Sequence, residues 1–120
     1  MSDEPKACVF WADTLERIRS LPRDVRIDFG HALTLVKQGG VPARFDHLSE
    51  LGSGVMEIKS NHDRETYRAF YVAKFPEAVY VLDAIHKKSK RGKALPRADK
   101  ERVRRRYREV LAHRADTGHA

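Results

Sequence analysis

Apolar positions along the chain recur at two different spacings, and the change from one to the other divides it into helices and strands. Ala7-Cys8-Val9-Phe10-Trp11 is a short apolar and aromatic run, which predicts a first strand. Asp13 followed three residues later by Glu16 has capping-box spacing, so a helix is predicted to begin there and to carry Leu15 and Ile18. Pro22 suits the first residue of a second helix, because the N–H it lacks has no partner in a first turn. Val25, Phe29, Ala32, Leu33 and Val36 then fall on one helical stripe, and Gly39-Gly40 supplies the left-handed backbone of a helix end.

From Val41 to Gly54 the breakers Pro42, Gly52 and Gly54 predict a loop. Val55 to Ser60 alternates, with Met56 and Ile58 on a buried face and Glu57 and Lys59 on an exposed one. Asn61 to Arg64 reads as a polar turn. Thr66 to Phe75 and Ala78 to Ile85, rich in Tyr, Phe and Val, read as two antiparallel strands joined through Pro76-Glu77. Lys87 to Leu95 is polar and reads as a mobile loop. Pro96 opens a last helix whose Val103, Tyr107, Val110 and Leu111 form one stripe. This order predicts an α+β domain spanning 1–120, with 113–120 as a frayed tail. Its small, mostly antiparallel sheet carries the two N-terminal helices on one face, followed by a basic C-terminal helix.

Composition sets limits on this picture. A chain of 120 residues, 41% apolar and 34% charged, suits one compact soluble domain with a modest core. The acidic opening residues lack the form of a secretory signal and no window approaches a membrane span, so a cytoplasmic protein is expected. The single cysteine, Cys8, excludes an internal disulfide and a cysteine-based metal site, and it reads as an apolar strand residue.

Charge is divided unevenly. Residues 1–85 hold 11 Lys and Arg against 13 Asp and Glu, whereas residues 86–120 hold 13 against 4. Lys87, Lys88, Lys90, Arg91 and Lys93 fall in one loop, and Arg102, Arg104, Arg105, Arg106 and Arg108 on the helix after it. Such asymmetry fits contact with a polyanion, nucleic acid or ribosome. The plainer alternative is a solvated, charge-rich helix beside a flexible loop.

No zinc signature, phosphate-cradling glycine loop or dinucleotide fingerprint is present, so no cofactor or metal is expected. The six histidines, at 31, 47, 62, 86, 113 and 119, show no paired ligand spacing and read as surface residues. His86 is the exception, a titratable group at the end of the last strand beside Lys87-Lys88. Glu57 and Lys59 project together, with Arg68 placed to lie opposite them on the next strand. One reading is a structural ion pair. Another is RNA cleavage without metal: a base takes the 2′-hydroxyl proton, cations hold the phosphate, and an acid protonates the leaving oxygen.

Several motifs in succession carry a family resemblance: Gly52, Gly54, Val55, Glu57 and Ile58 at a strand entry, Tyr67-Arg68 with Tyr71, Val79-Tyr80-Val81-Leu82, and Lys87-Lys88-Ser89. Together they resemble the RelE/ParE toxin superfamily, and more narrowly its HigB-like, phage-derived branch of type II toxin–antitoxin toxins. The likeness covers about residues 8–112. It implies a RelE-like fold and an mRNA endonuclease (mRNA interferase) acting on the ribosome. It also implies neutralisation by a cognate antitoxin, often a helix-turn-helix protein.

Position by position, the resemblance implies Arg68 at the scissile phosphate, Glu57 as the base and His86 near the acid. Lys59, Lys87, Lys88, Lys90, Arg91, Arg102, Arg105 and Arg106 are implied as RNA contacts. Two departures stand out. Ile85 occupies a position where the branch commonly has Phe, and Lys59 offers a point charge where an arginine would clamp phosphate through two bonds. Two alternatives stay open: a ParE-like inhibitor of DNA gyrase without nuclease chemistry, and a degenerate toxin that only binds its antitoxin.

Overall fold

The second helix shows how local sequence sets the frame. α2 (Arg23–Lys37) begins directly after Pro22, whose carbonyl accepts the Arg26 N–H. It ends where Gly39, at φ +87°, turns the chain so that the Gly39 and Gly40 N–H groups bond back to the Val36 and Leu35 carbonyls. Its stripe Val25, Phe29, Leu33 and Val36 is buried. The other elements of the computed structural model, which describes residues 5–87 and 95–119, follow the predicted order. They are β1 (Ala7–Phe10), α1 (Thr14–Arg19), β2 (Phe45–His47), β3 (Val55–His62), β4 (Glu65–Val72), β5 (Ala78–Lys87) and α3 (Arg97–Asp116).

The strands form one five-stranded sheet in the order β1-β5-β4-β3-β2. β1 runs parallel to β5 and the other pairs are antiparallel, so the sheet is mixed. β2 lies inside the stretch read from sequence as a loop. It has only three residues, two of them polar, and its pairing with β3 is what makes it a strand.

Alternation along each strand sends side chains to two separate cores. Ile58, Ala69, Tyr71, Val79 and Val81 meet Val25, Phe29, Leu33 and Val36 of α2. Val55, Phe70, Val72, Tyr80 and Leu82 meet Val103, Tyr107 and Val110 of α3. The helices therefore cover both faces of the sheet, and the expectation of a helical pair on one face with a basic helix left for outside contacts is corrected. The charges along α3 conceal an apolar stripe, and Leu111, predicted to belong to it, is partly exposed. α3 also runs to Asp116, past the point where fraying was expected, and Arg114 near its end binds Glu77 through two contacts of 2.6 and 3.2 Å.

A bulge fastens α3 to the sheet. Phe70 pairs with Asp83 but Tyr71 pairs with Val81, so Leu82 is the extra residue and both Leu82 and Asp83 face α3. The fully buried Asp83 carboxylate receives Arg102 Nε at 2.7 Å and Arg106 Nη1 at 3.1 Å. Arg106 reaches on to Asp13 at 2.6 Å, which ties α1 into the same network. Asp13 makes no capping bond to α1; its carboxylate is taken by Arg17 and Arg106, and the two hold it down at about 2. Gly52 completes the packing by close approach: a Cβ there would lie 2.6 Å from the Tyr107 ring, whose hydroxyl donates to the Ser53 carbonyl.

Candidate functional site

Glu57, Lys59 and Arg68 come together on the α3 side of the sheet. Lys59 pairs with Arg68 across β3 and β4, while Glu57 faces Phe70. Glu57 therefore reaches Arg68 along the diagonal, and Arg68 Nη1 donates to Glu57 Oε2 at 2.9 Å. The predicted exposed face is corrected here, because Glu57 is only 2% and Arg68 only 6% exposed. The strand pattern read these charges as solvated, but helix α3 and the turn at Ser49–Leu51 stand over that side of the sheet. Arg68 Nε is buried with no hydrogen-bond partner among the described residues.

The pair lies in a cleft of about 380 Å³ lined by Asp46, His47, Glu50, Glu57, Lys59, Arg68 and Lys100 together with Leu48, Leu51 and Leu95. Lys59 stands at its edge, 2.6 Å from Asp46 and 3.7 Å from Glu57 Oε1. The Lys59 ammonium lowers the Asp46 carboxyl below its usual range. Three carboxylates and three cations line this cleft, so its described wall is neutral rather than cationic. A more apolar groove of about 340 Å³ lies between α2 and β3, lined by Leu35, Pro42 and Ile58 among others.

His86 is not part of this cleft. It pairs with Tyr67, stacks on that ring at 4.4 Å on the α2 side, and bonds Glu65 at 2.8 Å. Arg68 and its partner Ile85 point to the opposite side. Glu57, Lys59 and Arg68 share one side of the sheet and His86 does not join them: strand alternation places it across the sheet from the other three.

The basic contacts divide as well. Arg102 is bonded to Asp83 and Asp99, and Arg106 to Asp83, Asp13 and the Leu82 carbonyl, so these two hold the fold together instead of offering free charge. Arg105 is exposed. Lys87 ends β5, and Lys88, Lys90 and Arg91 lie outside the described residues. Sequence reasoning missed Asp46 and Lys100. Asp46 reaches the cleft only through the pairing of β2 with β3, opposite Glu57, and Lys100 was one cation among many on a basic helix.

No match to a curated protein is found. The chain does match the family described as phage derived protein Gp49-like (DUF891) over residues 16–108, from the first helix through most of α3 and including every described residue of the cleft. By this match the chain belongs to the phage-derived Gp49-like family.

Proposed function

We propose that the protein is the toxin of a type II toxin–antitoxin system, a metal-independent endoribonuclease that cuts mRNA on the ribosome in the manner of HigB-like toxins. The observation that carries this reading is the unpartnered Arg68 Nε, buried in a cleft it shares with three carboxylates and two lysines. A buried donor without a partner costs about 1–3 kcal/mol, and more when it is charged. An oxyanion entering the cleft removes that cost, and a phosphate oxygen suits the guanidinium fork. Family membership is compatible with a toxin, and the five cations at 87–93 adjoin the cleft in sequence at Leu95.

In this reading Arg68 and Lys59 neutralise the phosphate as charge builds, and Glu57 takes the proton of the attacking 2′-hydroxyl. The departing 5′-oxygen takes its proton from Lys59 or Lys100, the ammonium groups lining the cleft, and His86 has no part. Exposed Arg105 and the segment 87–93 approach ribosomal RNA. A cognate antitoxin, a helix-turn-helix protein, neutralises the toxin in the cytoplasm.

The test is expression without a partner, followed by mapping of mRNA 5′ ends. Wild type is expected to arrest growth with new cuts in translated regions. Lys59→Ala, at a side chain 36% exposed, is expected to stay folded and lose both effects. One observation favours a second reading, a gyrase-binding toxin without nuclease chemistry: Glu57 and Arg68 already engage one another and His86 lies across the sheet. Inhibited supercoiling with intact transcripts would establish that rival.

A further inference from the structure

Both strand-borne cations of the cleft are already taken. Lys59 holds Asp46 at 2.6 Å, and Arg68 holds Glu57 at 2.9 Å. A polyanion therefore meets a neutral wall, finds Lys100 and the unpartnered Arg68 Nε open to it, and takes either strand-borne cation in full only by displacing a carboxylate. Displacing Glu57 alone would strand a buried charge, which is costly. The structure offers a cheaper route, because Lys59 Nζ lies 3.7 Å from Glu57 Oε1 while also bonded to Asp46.

Resting on the reading of the cleft as a phosphate site, we propose that an ion-pair exchange gates it: Asp46 is the latch and Lys59 the shuttle. As a phosphate enters, Asp46 releases Lys59 to water, Lys59 closes on Glu57, and Arg68 turns its fork from Glu57 to the phosphate. Every buried charge keeps a partner at each stage. The exchange leaves Asp46 without its partner, and that side chain is half exposed on the three-residue edge strand β2.

Two features drive the exchange toward the phosphate. Glu57 approaches on the diagonal and uses only Nη1, leaving Nε without a partner, whereas a tetrahedral oxyanion can take the Nε–H together with the Nη2–H parallel to it. Glu57 meanwhile trades one cation for another, so its desolvation is not left uncompensated. Without phosphate the resting arrangement keeps Arg68 occupied and the cleft neutral. The site thus carries its own restraint against small anions that cannot engage both N–H groups.

The test titrates inorganic phosphate into the full chain while following the Arg68 Nε–Hε signal by NMR, for wild type, Asp46→Asn and Glu57→Gln. Asp46→Asn changes an exposed side chain and leaves the core untouched. It is expected to bind phosphate about five-fold tighter, the worth of one partly exposed ion pair. Glu57→Gln is expected to tighten binding also, and Lys59→Met to weaken it by stranding Glu57 on Arg68.

Equal or weaker binding by Asp46→Asn, a saturating response that leaves the Arg68 signal unmoved, or no binding by any variant would each overturn the latch. Tighter phosphate binding by Asp46→Asn in a protein that cuts no RNA would uphold the latch and refute the nuclease reading. RNA cleavage with Asp46→Asn binding phosphate as wild type does would do the reverse.

Discussion

Asp83→Asn is the sharpest probe of how a chain so rich in arginine holds its last helix. The carboxylate is fully buried at the β5 bulge and faces Arg102 at 2.7 Å, Arg106 at 3.1 Å and Arg17 at 3.8 Å, while its Oδ1 accepts the Ala84 N–H. Asparagine keeps the shape and the oxygen but removes the charge. Removing one partner of a buried ion pair costs about 3–5 kcal/mol. Here Arg106 retains Asp13 and the Leu82 carbonyl, and Arg102 retains Asp99, which places the loss near the low end, about 3 kcal/mol. For a chain of this size that lowers the melting temperature by about 12 °C. Urea unfolding followed by circular dichroism measures it, with an unchanged slope showing that the compactness of neither state has shifted. A loss below about 1 kcal/mol would equate the network with surface pairs and refute the account of how α3 is anchored.

Three further outcomes follow from particular contacts. Arg114 and the Tyr80 hydroxyl hold the Glu77 carboxyl at about 2, against an ordinary 4.5. A folded-state value below the unfolded one stabilises above the unfolded value and is lost as pH falls, so wild type should lose stability between about pH 4.5 and 2. Acid titration of Glu77→Gln should flatten that slope. Arg68→Ala should cost about 3–5 kcal/mol by removing the direct hydrogen-bond partner of buried Glu57. Urea curves should show the double change Arg68→Leu with Glu57→Leu recovering most of that loss, as apolar replacements of buried pairs do. Gly52→Ala should cost about 1–3 kcal/mol in a thermal melt, because the new methyl meets the Tyr107 ring.

Much of the framework is legible in the residues. The α2 stripe, the Gly39-Gly40 end, the alternation of β3 and the position of α3 after Pro96 follow from local rules, because their apolar residues sit at spacings only one element satisfies. What escaped are features made by distant partners. Arg106 reads as a surface cation until Asp83, 23 residues away, is placed beneath it by a bulge. Glu57 reads as solvated until α3 stands over its side of the sheet. Phe45–His47 becomes a strand only through β3. For the candidate site, the side-by-side placement of Glu57, Lys59 and Arg68 follows from strand period and register, but the opposite facing of His86 needed the β4–β5 register, which no local pattern encodes.

A cleft around Arg68 that cuts RNA by 2′-hydroxyl attack without metal leaves a chemical signature on its products. The direct measurement incubates the purified protein with translating ribosomes, then transfers the recovered mRNA to chelator and analyses the new ends. Fragments with 5′-hydroxyl and 2′,3′-cyclic phosphate ends, absent when Lys59→Ala or Glu57→Gln replaces wild type, are the predicted result. Intact mRNA, cleavage that leaves 5′-phosphate ends, or full activity in both variants would contradict it.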